Sequence, residues 1–156
     1  GKIKSNTMLN LCGIVGDKNT EKEVKAEIGW SQIIEYGFIN RENVKNVLNR
    51  SFAGIVTLHP IINYLDALPV KMFEYMSAGI PVIASNFPLW RDIIEGNNCG
   101  ICVDPLNPNK IAEAIDYLFM HPEQAEIMGN NGRKAVENQY NWADEEKKLF
   151  KFYKNL

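Results

Sequence analysis

Two carboxylates, Asp66 and Glu74, flank a lysine, Lys71, in a short stretch of the chain. Pro69 lies between them, a residue suited to the first turn of a helix. Lys71 and Glu74 then fall in the opening turns of a helix that stops at Gly79, a natural C′ residue. A helix start offers free backbone N–H groups and a partial positive charge, which together attract anions. A lysine in that turn opposes the dipole at a cost of about 0.3–1 kcal/mol. An anion such as a diphosphate, lying between helix and lysine, removes the conflict. Glu74 is three residues beyond Lys71 and shares its face. A carboxylate accepts two hydrogen bonds from a vicinal diol, which is what a ribose presents, and Asp66 can do the same for a sugar. The plainer alternative is a solvated Lys71–Glu74 pair worth a few tenths of a kcal/mol, with Asp66 an ordinary loop residue. Met72, Phe73 and Met76 lie on the other side of the helix and read as core.

Apolar runs alternate with helical patterns along the chain. Residues 8–15 read as a strand closed by Gly16 and Asp17. Thr20, with Glu23 three residues on, reads as the N-cap of a helix over 21–28. A strand over 32–36 stops at Gly37, and Asn40 caps a helix over 41–50. Residues 53–58 form a continuous apolar strand of the kind buried on both faces. A loop over 59–68 leads into the Pro69 helix. Strands over 81–84 and 100–103 enclose a short helix over 89–95, and helices over 109–120, 122–139 and 143–155 finish the chain. This order predicts βαβ units, with right-handed crossovers, in an α/β domain. The expected architecture is a Rossmann-like, doubly wound parallel sheet with helices on both faces and extra C-terminal helices. In such sheets ligands bind outside the carboxyl ends of the strands, where the 59–68 loop departs. His59 and Arg91 border the same edge.

Composition narrows the function. The chain has 156 residues, enough for one domain, and its formal net charge is −2, so no basic excess calls for nucleic acid. No apolar run approaches the ~18 residues of a membrane span. Three cysteines do not make a disulfide framework and suit a reducing cytoplasm. Cys99 and Cys102 have CxxC spacing without a second pair or histidine cluster, so the expectation is burial and no metal.

The run DALPVKMFEYMSAGIPVIAS at 66–85 resembles the donor-binding signature of family 4 glycosyltransferases, which have the GT-B fold. That signature has two acidic residues followed by a helix ending in Ala-x-Gly-x-Pro-Val. The resemblance continues through NFPLWR at 86–91, GICVDP at 100–105 and YNW at 140–142, and YGFI at 36–39 matches the strand-turn near the base. It implies that residues 1–156 are the C-terminal nucleotide-sugar-binding domain, one half of a GT-B fold, with an acceptor domain preceding it and absent here. Glu74 would hold the ribose hydroxyls. Asp66, Ala67 and Leu68 would hold the transferred sugar and phosphates, with Pro69, Val70 and Lys71 beside them, and Phe38 and Ile39 would lie near the base. Asp66 stands where the family more often has Glu. The implied reaction transfers a sugar from a UDP-, GDP- or ADP-linked donor to a glycan or lipid-linked acceptor, with retention and without metal or other cofactor. Polysaccharide or cell-surface glycan synthesis would be its setting, in the cytoplasm or at the inner face of the membrane, where the full-length enzyme could associate peripherally. The fragment alone would be inactive. The helix over 143–155 mixes lysines with aromatics and would pack across to the other domain.

Two rivals remain at this level. A GT-B-fold sugar-nucleotide epimerase would bind a similar donor but needs further catalytic histidines and carboxylates. A non-catalytic, receiver-like α/β module needs an acidic pocket at the ends of early strands, and Asp17 alone is not that.

Overall fold

The structure is a computed structural model, and it describes residues 3–155. Among the described residues five parallel strands alternate with helices, as the pattern of apolar runs predicts. They form two sheets. β1 (Leu9–Cys12) pairs with β2 (Ile33–Gly37), and β3 (Gly54–Val56), β4 (Val82–Ser85) and β5 (Gly100–Val103) pair in that order. Among the described residues no ladder joins β1 to β3. The hydrogen bond from Asn10 Nδ2 to Ser51 Oγ, at 3.2 Å, ties the first sheet to the segment entering the second.

Side-chain alternation along β3–β5 distributes two apolar clusters. Val56, Val82 and Ala84 point to one face, where Met72 and Met76 of α4 (Val70–Ala78) and Trp90, Ile93 and Ile94 of α5 (Pro88–Ile94) cover them. Ile83 and Val103 point to the other, against Ala114, Ile115 and Leu118 of α6 (Pro108–Met120). Helices therefore cover both faces of this sheet. α7 (Pro122–Asn138) contributes to both clusters, Ala135 to the first and Ala125 and Met128 to the second.

Local signals set most boundaries. Asn40 caps α2 (Arg41–Leu48), accepting from Asn43 N–H at 2.9 Å. Gly79 closes α4 in the left-handed region at φ 73°. α8 (Trp142–Lys154) is capped by Asn141. Four expectations are corrected. α1 spans Lys18–Ala26, and its cap is Asp17 rather than Thr20: the Asp17 carboxylate accepts from both the N–H and the hydroxyl of Thr20, each at 2.7 Å. A charged acceptor one turn earlier satisfies the orphan donors before Thr20 can. The first strand ends at Cys12 because Gly13 turns to φ 133° and its N–H reaches Gly37 O at 2.8 Å. The buried strand is shorter than 53–58. The expected 59–68 loop contains a single helical turn, α3 (Ile62–Leu65), whose Leu65 packs on the core.

The backbone at Lys4 and Ser5 is tied to α6 by one carboxylate. Asp116 on α6 accepts from the N–H of Lys4 (3.0 Å), the N–H of Ser5 (2.9 Å) and the hydroxyl of Ser5 (2.6 Å). The Ser5 hydroxyl, then the two amides, hold its pKa below the ordinary 3.8. A depressed carboxyl contributes stability that is present above the unfolded value and lost as pH falls through the folded one. Amide exchange at Lys4 and Ser5 should therefore be protected at pH 5–6 and lose protection below the ordinary carboxyl range, and Asp116→Asn should weaken it already at pH 6. Equal protection of these two amides in wild type and variant at pH 6 would refute the tether.

Candidate functional site

The chain after β3 climbs through Thr57 and Leu58, makes the α3 turn, and descends through Asp66, Ala67, Leu68 and Pro69 into α4. Pro69 occupies the cap position, with extended backbone and no side-chain hydrogen bond to the first turn, and that turn carries no acidic residue. At the other end of α4 the Arg133 guanidinium donates to Ala78 O at 2.9 Å. A cation there complements the negative end of the dipole. The positive end has no acidic residue in its first turn and carries Lys71 there instead.

Asp66, Leu68, Val70, Lys71 and Glu74 are exposed, and Ala67 and Pro69 are half-buried. The solvated pair is not formed. The ion pairs among the described residues are Lys25 with Glu21 and Glu35, and Lys110, Lys147 and Lys148 with neighbours on their own helices. Lys71, Glu74 and Asp66 are thus left for other partners. Met72 and Met76 are fully buried, as expected for the opposite side of the helix, and Phe73 packs on Tyr140 in a tilted pair with ring centroids 5.4 Å apart. Phe38 and Ile39 follow the carboxyl end of β2, in the other sheet, and Phe38 is 87% exposed. The bonds that hold the 66–74 segment do not include them. His59 is exposed at the carboxyl end of β3, and Arg91 is exposed on α5.

Two residues that pattern reading passed over hold the loop in place. Ser85 Oγ, at the end of β4, accepts from Leu58 N–H at 2.8 Å and donates to Leu58 O at 2.9 Å. Trp90 donates its indole N–H to Ala67 O at 2.6 Å. Both side chains are fully buried. The available hint was a polar residue closing an apolar strand; Trp90 resembled any core aromatic.

Cys99 and Cys102 behave as apolar filling, whereas Cys12 is exposed. All three are free, and burial pushes the Cys99 thiol up to about 11 and that of Cys102 to about 12. Among the described residues no cluster of His, Cys, Asp and Glu could hold a metal, and no helix is long and apolar enough to cross a membrane.

The sequence model described as "Glycosyl transferases group 1" matches residues 2–135. The chain belongs to that family. Among curated relatives, this group 1 domain is similar to the uncharacterized glycosyltransferase MJ1607 of Methanocaldococcus jannaschii, with 28% identity over 79% of the chain and 30% of that protein. It is also similar to the GDP-mannose-dependent alpha-(1-6)-phosphatidylinositol monomannoside mannosyltransferase of Mycobacterium tuberculosis, with 31% identity over 50% of the chain and 20% of the relative. The group 1 chain thus spans about a third or less of these relatives. Its fold matches Anabaena Alr3699/HepE, solved in complex with UDP, with TM-score 0.86 at 14% identity over 99% of the chain and 43% of that structure. The α/β class and the GT-B kinship expected from the sequence therefore stand.

Proposed function

We propose that residues 1–156 form the donor half of a two-domain glycosyltransferase of family 4, in which the start of α4 receives the diphosphate of a nucleotide sugar. The observation that carries this reading is the uncompensated positive end of α4, with Lys71 and Glu74 both unpaired beside it, in a chain of the group 1 family. Lys71 and the amides of Leu68 and Val70 bind phosphate oxygens, Glu74 accepts from the ribose diol, Asp66 accepts from the transferred sugar, and Phe38 and Ile39 flank the base. As the anomeric C–O bond breaks, negative charge grows on the diphosphate. A fixed dipole, amides and a lysine stabilise that charge without reorganising, and no metal is needed for it. The domain also sets the sugar's orientation. The acceptor hydroxyl of a glycan or lipid-linked acceptor is supplied against it by an N-terminal domain of the full-length enzyme, with retention at the anomeric carbon, in the cytoplasm or at the inner face of the membrane.

Titrating the full-length protein with UDP, GDP and ADP, and with sugars linked to each, tests this directly. One base series should raise the melting temperature in proportion to the logarithm of ligand concentration above Kd. No shift with any of the three would overturn the donor-site reading and leave a non-catalytic module in its place.

A further inference from the structure

The donor-site reading rests on amides in a loop whose own surface is largely exposed. Ile61, Ile62, Tyr64 and Leu68 all face solvent. Such a loop does not hold a peptide plane still by burial alone, and a binding group must be held within about 0.5 Å to be effective.

The two fully buried polar side chains supply the missing rigidity. In the β3–β4 ladder the last pair in register is Val56 with Ala84. Beyond it the Ser85 hydroxyl takes over from the backbone, bonding both the N–H and the C=O of Leu58. This fixes where the loop leaves the sheet. Trp90 fixes where it returns, through the 2.6 Å bond to Ala67 O. Its fully buried ring packs against Phe87 with centroids 4.8 Å apart, which holds the indole in place. Every buried polar side-chain atom among the described residues has a partner, so these bonds are not spare.

The second bond has a consequence one atom further along. The carbonyl of Ala67 and the N–H of Leu68 belong to the same planar trans peptide and point in opposite directions. A carbonyl held by the buried Trp90 indole therefore turns the Leu68 N–H away from that core. We infer that Trp90 and Ser85 are positioning residues of the donor site: Ser85 anchors the loop at Leu58, and Trp90 aims the Leu68 amide at the diphosphate. The inference rests on the donor-site reading, because it assigns that amide to phosphate.

The test separates aim from stability. In the full-length protein, Trp90→Phe keeps an aromatic ring in the core and removes the N–H, and Ser85→Ala removes the Leu58 clamp. UDP, GDP and ADP are titrated against each, beside the parent nucleosides. The amide touches phosphate and not the nucleoside, so the ratio of diphosphate to nucleoside affinity should fall about tenfold in Trp90→Phe, the loss of one hydrogen bond to a charged group. Ser85→Ala should move the ratio the same way. Ile93→Val, a buried change elsewhere on α5, lowers stability and should leave the ratio unmoved. If Trp90→Phe does not fold, the Ser85→Ala ratio decides the matter by the same criterion. An unchanged ratio in folded Trp90→Phe and Ser85→Ala, while Glu74→Ala still weakens nucleoside binding, overturns the positioning role and leaves the donor site standing. Unchanged binding in Glu74→Ala as well overturns the site and the inference with it.

Discussion

Glu74→Ala in the full-length enzyme is expected to weaken nucleotide binding by about a hundredfold or more while leaving the fold intact. Two hydrogen bonds from a ribose diol to one carboxylate are lost, and bonds to charged groups are worth about 1.5–3 kcal/mol each. The cost lands on binding because Glu74 is exposed and makes no ion pair among the described residues. Surface substitutions of that kind change stability by only about 0.5 kcal/mol. Glu74→Gln keeps one acceptor oxygen and loses the charge, so its affinity should fall between the two. Isothermal titration with the nucleotide that binds the wild type decides the case, and wild-type affinity in Glu74→Ala would remove the residue from the site.

The second large effect is structural. Gly129→Val should lower the melting temperature by about 10 °C, taking about 3 kcal/mol for an overpacked contact and 2–4 °C per kcal/mol in a domain this size. A Cβ at Gly129 would collide with the carbonyl oxygen of Gly79, at the point where α7 crosses the end of α4. The obstacle is backbone, not a side chain that can swing aside, so the helices must separate. Gly132, one turn on, sits 3.3 Å from Met76 Cα by the same measure and keeps the crossing close. Gly29→Ala is the matching control, since nothing lies within 4 Å of its Cβ position, and it should stay within about 0.5 kcal/mol of wild type. Equal melting curves for the two variants would show that α4 and α7 are not pressed together at Gly129. Because α4 carries Lys71 and Glu74, a loosened crossing should also reduce nucleotide binding.

What could be read from the sequence divides by distance along the chain. Asn40, Gly79 and the Pro69 helix start act within a turn of themselves, and each stands where local chemistry puts it. The 66–74 segment was legible for the same reason: its carboxylates, its lysine and the helix that orders them are neighbours in sequence. Asp17 was missed locally, because the Thr20–Glu23 spacing imitates a capping box and hides a stronger acceptor upstream. Ser85 and Trp90 were missed for a different reason. Their partners, Leu58 and Ala67, lie 27 and 23 residues away, and hydrophobic periodicity carries no record of which buried residue donates to which carbonyl. The division of the strands into two sheets was equally hidden, since alternation of strand and helix fixes class but not which edges meet.

That division bears on how the molecule behaves in a test tube. Only β4 has a strand on each side among the described residues; β1, β2, β3 and β5 are all borders. Borders with bare N–H and C=O groups recruit strands from other molecules. Here the strands are only three to five residues long, which shortens each template, but the formal charge of −2 supplies little mutual repulsion between copies. The margin that faces solvent is β1, where Leu9 and Cys12 are exposed, so charge placed there should slow strand-to-strand association between copies while leaving the packing of β3 under α4 untouched.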